Sequence, residues 1–547
     1  MDEMNQLYSY HVFLFPFQWK YCGKEFKDKT LEQRTSLDLF ANFLKGTNWK
    51  NEPFTIDSRL KYNEVNYFFD FVRDILYETK KSQRENQSEK FIAHYYYDIP
   101  SDTQHYSIHL EGQTYNLLVD SIILHLYSAG IGVLSFHLNN RNPQQKQPED
   151  ILKINQYGRR IFPPFFGIEK NIVGTSDQFL PGLFNLGLSL SKGKEIASGI
   201  SITPFDSDNF LPYASQINFD NGVFILPSFI KELFGEVPLT TSENADQTVK
   251  TQINIAPVLD DRMFVLCWYG NDYIINNLNA NPKQKGKDKN GHTLYLSNEW
   301  LYQYIFVDGG FITCQNDDMI KQLIAKHTNT RWLNYGTFFG ASRYSFICLT
   351  ESLDTLKNNN AAFIVNHMQT MYYKMAELCL VQRACVLRFS DEVTSISSLI
   401  EKNEKDLSSK VSSLYKQYIR FVNKIYFREV TAQDQGIELY DLLQDKMKLK
   451  DQVKGLDEEI EELHNYVTLK EQREEGKIIT RLTKLSAIFL PASVVAGIFG
   501  MNTFSVFNDN DIDLEFPWFF WISLFIIGLS SIVVWMIFLT KILRKKS

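Results

Sequence analysis

The sequence is short of the residues that staple, break or repeat a chain. Six cysteines in 547 residues (Cys22, Cys267, Cys314, Cys348, Cys379 and Cys385) include no Cys-x-x-Cys pair. That spacing excludes a disulfide framework and fits buried thiols in a reducing compartment. With only 16 prolines and 27 glycines, the chain is neither collagen-like nor largely disordered. Basic residues are outnumbered, 57 Lys and Arg against 64 Asp and Glu, for a formal charge of -7. The basic excess of a nucleic-acid binder is missing, so no nucleic-acid partner is expected. No Gly-x-Gly-x-x-Gly, Walker-type or Gly-x-Ser-x-Gly motif occurs, and the ten histidines are scattered without metal-ligand spacing. The expectation is a protein that is not an enzyme, with no catalytic residues and no cofactor. Residues 1–10 carry acids and no basic stretch, so no signal peptide is expected. Mean hydropathy is -0.24, which confines any membrane part to a local segment.

The informative part is the C-terminal end. Residues 485–508 contain no charge over 24 positions, and residues 516–540 contain none over 25. A membrane-spanning helix needs about 20 mostly apolar residues. The two runs read as a helical hairpin that spans the bilayer twice, with Trp518 and Trp521 as interfacial anchors. Lys477, Arg481 and Lys484 precede the first run, and Lys541, Arg544, Lys545 and Lys546 follow the second. The connecting loop has no Lys or Arg, so both termini should face the cytoplasm.

A long helix should lead into the membrane. Thr431 is placed to cap it, with Asp434 in its first turn. Leu442, Leu449, Leu456 and Leu463 repeat every seven residues, interleaved with Val453, Ile460 and Val467. That is the seam of helices packed along their length. If continuous over 431–501, the helix would be about 105 Å long. The acidic stretch 457–462 reads as a solvated face.

The first uncharged run ends in Gly500-Met501-Asn502. Carboxamide and carbonyl oxygens can hydrogen-bond the water shell of Mg2+, an ion that dehydrates reluctantly. At the end of the first of two C-terminal spans, after a long helix, this motif resembles that of CorA-type magnesium and divalent cation transporters. The likeness covers about the last 70 residues by motif and the stalk by architecture. It implies a funnel-shaped homopentamer in the cell's inner (plasma) membrane, passing divalent cations along a pore. Gly500, Met501 and Asn502 would be the selectivity filter. Leu482, Ser486, Leu490, Ser493 and Gly497, at steps of three or four on one helical face, would line the pore. Asp509, Asp511, Asp513 and Glu515 would concentrate cations at its mouth. Mg2+ would be the cargo and also a regulatory ion between subunits, with Glu429, Asp434 and Glu438 as candidate ligands. Membrane lipid, divalent cations and further copies of the chain are the partners implied. Many relatives follow the motif with Met-Pro-Glu-Leu, whereas this chain reads Thr503-Phe504-Ser505-Val506. Transport of Zn2+, Co2+ or Ni2+ by the same architecture is therefore the alternative. A membrane-anchored coiled-coil scaffold or sensor is the non-transporting one.

The N-terminal two-thirds carry alternating or apolar segments at 8–19, 91–99, 106–110, 115–126, 131–138 and 263–268, which predict strands. Polar loops are expected at 79–90, 139–150 and 279–291, and helices dominate from 361 onward. The expected organisation is an α/β (or α+β) cytoplasmic domain over 1–350 and cytoplasmic helices over 351–430. The stalk follows over 431–484 and the first span over 485–502. An acidic loop over 503–515, a second span over 516–540 and a basic tail over 541–547 complete it.

Overall fold

The computed structural model describes residues 6–27, 29, 31–51, 54–77, 90–99, 105–110, 113–161, 187–191, 226–241, 249–259, 261–279, 294–310, 312–402 and 407–502, together with 521, 522, 525, 526, 528 and 529. The chain divides into two compact units, Met1–Ile460 and Glu461–Ser547.

The first unit is built on thirteen strands: β1 (Ser9–Cys22), β2 (Trp49–Lys50), β3 (Ile92–Tyr97), β4 (His105–Leu110), β5 (Gln113–Tyr127), β6 (Ile131–Asn140), β7 (Gly187–Ser191), β8 (Leu239–Thr240), β9 (Gln252–Pro257), β10 (Phe264–Gly270), β11 (Thr328–Asn329), β12 (Phe338–Ala341) and β13 (Ser345–Thr350). All six expected strands are present, as β1, β3, β4, β5, β6 and β10. The main order is β11-β12-β13-β10-β1-β6-β5-β3-β2. Two long strands branch the sheet. β1 pairs β6 along most of its length, and its other edge is shared between β10 (from Ser9 to Leu14) and β9 (from Phe17 to Cys22). β5 carries β4 on its first half and β3 on its second, with a bulge between Val119 and Ser121 where the partner changes. Only β10 with β13 and β8 with β9 run parallel among the described pairs, so the mixed fold is of the α+β kind.

β1 and β6 are buried along nearly their whole length because helices cover both faces of the sheet. Phe13, Phe15, Phe17 and Trp19 of β1 join Leu134, Phe136 and Leu138 of β6 in the main hydrophobic core. Helices Pro148–Gly158, Ser228–Phe234 and Glu299–Phe306 supply the other side of that core, through Ile154, Phe229 and Leu301 among others. The opposite face is more polar. It presents Val12, Ser135, His137 and His125 to the 32-residue helix Met371–Lys402. The β5–β6 turn needs Gly130, whose φ of 69° favours glycine and whose Cβ would meet the Trp19 carbonyl at 3.2 Å.

Strands end at Thr350 and helices follow, but the helices close over the sheet within the same unit rather than forming a separate layer of the chain. The expected unbroken helix from 431 is corrected. Helix Asp434–Lys446 stops, Lys448 takes a left-handed φ of 59°, and a new helix runs Leu449–Asn502. Its 54 residues make it about 80 Å long. The capping expectation is corrected too: Gln433 holds the N-cap position, while Thr431 donates to the Tyr67 carbonyl and accepts from the Gln433 N–H at 3.3 Å. The break also shifts the heptads. Leu442 is half-buried, and Leu439 and Leu443 face the core instead. From Leu449 onward the pattern holds, with Val453, Leu456, Ile460, Leu463 and Val467 buried.

Candidate functional site

The second unit places the proposed pore face on the long helix. At 100° per residue, Leu482, Ser486, Leu490, Ser493 and Gly497 fall within an arc of about 80°. All five are exposed, Leu482 by 58% and Leu490 by 65%. Ile479 falls in the same arc and is 62% exposed, and the apolar side chains Leu485, Phe489 and Val494 outside it are more than half exposed as well. Such an uncovered apolar surface needs lipid or other protein around it. A Cβ built on Gly497 meets nothing within 4 Å.

The helix remains regular through Pro491. Proline has no N–H to offer the Ala487 carbonyl. Close by, the Ser493 hydroxyl lies within hydrogen-bonding reach of the Phe489 and Leu490 carbonyls, at 3.0 and 2.9 Å. Thr480 and Thr483 bond back to Gly476 and Ile479 in the same manner. These hydroxyls are thus satisfied within the helix while their oxygens keep lone pairs to accept with. Lys477, Arg481 and Lys484 stand exposed just before the uncharged run.

Gly500, Met501 and Asn502 form the last turn of this helix in the backbone. The mouth residues Asp509, Asp511, Asp513 and Glu515 lie outside the described residues, as do the 503–515 loop, the 541–547 tail and most of the second uncharged run. Among the described residues, no helix is long and apolar enough to cross a membrane.

The candidate regulatory carboxylates sit in the first unit. Asp434 and Glu438 come together, but around a guanidinium: Glu438 pairs with Arg331 and accepts from Asn329 Nδ2 at 3.1 Å, and Asp434 lies 4.0 Å from Arg331. Glu429 is exposed on the segment before the helix. Among the described residues, no three His, Cys, Asp or Glu side chains are grouped to hold a metal ion.

Sequence reasoning missed a buried polar cluster on the second face of the sheet. Glu377 pairs with Nδ1 of His125, lies 3.3 Å from the Lys374 ammonium and accepts from the Tyr127 hydroxyl at 3.3 Å. Lys374 also reaches Nε2 of His125 at 3.3 Å. This geometry makes His125 a neutral wedge, donating from Nδ1 to the carboxylate and accepting at Nε2 from the ammonium. Burial would raise the Glu377 carboxyl, but His125 and Lys374 outweigh it and hold it well below the ordinary carboxylate range. Burial pulls His125 down despite the adjacent carboxylate. His94 packs edge-on to His125 at 4.7 Å, and His137 packs on Tyr373 at 4.5 Å. Burial lowers His137 to about 3 and His11 to about 4. The histidines are far apart in sequence and meet only through strand register, so no spacing could have revealed them.

No curated protein matches the chain. Residues 385–545, a stretch that includes Gly500-Met501-Asn502, match the family model described as CorA-like Mg2+ transporter protein.

Proposed function

We propose that the protein is a passive divalent cation channel, with Mg2+ as its first cargo and the long helix of each subunit lining a shared pore. The family match over 385–545 carries this reading. The two uncharged runs at 485–508 and 516–540 support a membrane hairpin, and the exposed apolar surface of the helix supports its burial by lipid and by further copies. A single hairpin cannot enclose a pore, so the chain acts as a homo-oligomer, a pentamer by resemblance. Asn502 would meet the hydrated ion, which hydrogen-bonds to carboxamide and carbonyl oxygens without losing its inner shell. Ser493 would offer hydroxyl oxygens below it, and Leu490 and Leu482 would constrict the path and gate it by dewetting. The acidic loop residues Asp509, Asp511, Asp513 and Glu515 would raise the local cation concentration.

The test is uptake of Mg2+, Zn2+, Co2+ and Ni2+ into liposomes bearing the purified protein, compared with Asn502→Ala. Mg2+ uptake lost in the variant supports the reading. Uptake of the transition metals alone keeps the pore and changes its cargo. A folded, oligomeric protein that passes no ion is a scaffold, and the proposal fails.

A further inference from the structure

Just before the uncharged run, the long helix Leu449–Asn502 sorts its charges by side. At about 100° per residue, Lys470, Arg473, Lys477, Arg481 and Lys484 fall within an arc of about 80°. Glu471, Glu474 and Glu475 all lie outside it. The centre of this basic arc stands about 180° from the centre of the face formed by Leu482, Ser486, Leu490, Ser493 and Gly497. With those five residues on a shared axis, the basic stripe faces outward. Arg473, Lys477, Arg481 and Lys484 are exposed, and Lys470 is half-buried. Arg473, Lys477 and Arg481 form no ion pair among the described residues.

Two simpler roles leave this sorting unexplained. A positive bias orients a membrane hairpin by the number of Lys and Arg on one side of the bilayer, wherever around the helix they stand. It accounts for the cations being there and not for their sharing one face. The ion path does not use them either, since they stand opposite the face that would line it. What remains is an outward positive surface next to the bilayer, the charge that anionic headgroups complement.

Height along the helix says which of the cations can reach headgroups. The uncharged run begins at Leu485. With the hydrocarbon beginning there, Lys484 stands at its edge, and Arg481, Lys477 and Arg473 stand about 6, 12 and 18 Å below it. The headgroup layer is about 5–8 Å thick on each side, and the field of an anionic leaflet decays over about 8 Å beyond it. Lys484 and Arg481 thus lie among headgroups, Lys477 just below them and Arg473 where the field has faded. We infer that the side of the helix bearing Lys484, Arg481 and Lys477 is a docking surface for the phosphate groups of anionic lipids, tying the outer side of the helix to the cytoplasmic leaflet. The inference rests on the membrane reading above, and on neither Asn502 nor the cargo.

The test is native mass spectrometry of the full-length protein in detergent, offered equal amounts of dioleoyl phosphatidylglycerol and dioleoyl phosphatidylcholine. Wild type should retain phosphatidylglycerol in preference. Each cation near an anionic surface strengthens binding about fivefold, so the preference should fall at least about fivefold in Lys477→Gln with Arg481→Gln, and less than about twofold in Arg473→Gln. Circular dichroism should be unchanged in both. Should the double variant fail to fold, wild type alone decides: its preference must weaken as ammonium acetate rises from about 0.05 to about 0.5 M. No preference in wild type, a preference that salt leaves intact, or a double variant equal to wild type overturns the inference. So does an equal fall in Arg473→Gln. A double variant that loses its oligomeric mass but keeps the preference assigns the stripe to a neighbouring copy instead. Mg2+ uptake into phosphatidylcholine liposomes separates the two readings. Uptake without any phosphatidylglycerol preference refutes this inference and leaves the channel standing, and a preference without uptake refutes the channel alone.

Discussion

Mild acid should destabilise the first unit through its buried histidines. His11 and His137 are fully enclosed, and burial lowers them to about 4 and about 3 from the model-peptide value near 6.5. Their bonding explains the resistance to protonation. His11 Nδ1 lies 2.8 Å from Asn155 Oδ1, which can only accept, so that nitrogen carries the proton. Nε2 is left to accept from the Ser9 hydroxyl at 2.8 Å, while Ser9 receives the Asn140 amide at 3.1 Å. Both rings are neutral in the folded state and take up protons once unfolded below about pH 6.5. The unfolded state then binds more protons, so stability is present above pH 6.5 and is lost as pH falls toward 4 for His11 and 3 for His137. At pH 5, 1.5 units below the unfolded value, each costs about 2 kcal/mol at 1.36 kcal/mol per unit, and the two together about 4 kcal/mol. His94 and His125 are lowered as well and add in the same direction. The assay is urea unfolding followed by tryptophan fluorescence at pH 7.5 and pH 5.0, in wild type, His11→Gln and His137→Gln. Each variant should start less stable at pH 7.5 and lose about 2 kcal/mol less on acidification than wild type. Equal losses in all three proteins would refute the reasoning.

Three further outcomes follow from packing and charge. Glu377→Leu leaves Lys374 buried beside His125 without its carboxylate and should cost about 3–5 kcal/mol in unfolding free energy, whereas Glu377→Leu with Lys374→Met should cost less than Glu377→Leu alone. Leu456→Ala, at 2% exposure in the seam, should lower stability by about 2–5 kcal/mol, while Leu442→Ala should cost clearly less; equal effects would mean that the seven-residue seam runs through the bend after all. Lys448→Gly should raise stability by about 1 kcal/mol because glycine relieves the left-handed backbone there, and a loss of stability would argue against that conformation.

The strands legible in the sequence were those with apolar runs or alternation, since β1 and β6 are covered on both faces, while β5 alternates in burial until its last four residues. The two-residue strands β2, β8 and β11 have no period to read and exist because a neighbour's edge is available. The bend at Lys448 also left no signal. The seven-residue step from Leu442 to Leu449 bridges it, and neither glycine nor proline marks it. Gly455 and Gly476, the residues that a reader would suspect, lie inside the helix with room for a Cβ. The Gly500-Met501-Asn502 motif was legible because it is contiguous. The His125–Glu377–Lys374 cluster was not, since it is assembled from segments far apart in the chain.

The most direct measurement of the central claim is Mg2+ entry into liposomes bearing the protein while an inside-negative potential is imposed. A divalent ion gains about 4.6 kcal/mol per 100 mV, twice the value for a single charge. Passive conduction predicts entry that rises with the imposed potential, needs no nucleotide and is lost in Asn502→Ala. Folded, oligomeric protein that admits no Mg2+ at any potential, or admits it equally with Asn502→Ala, would contradict the account.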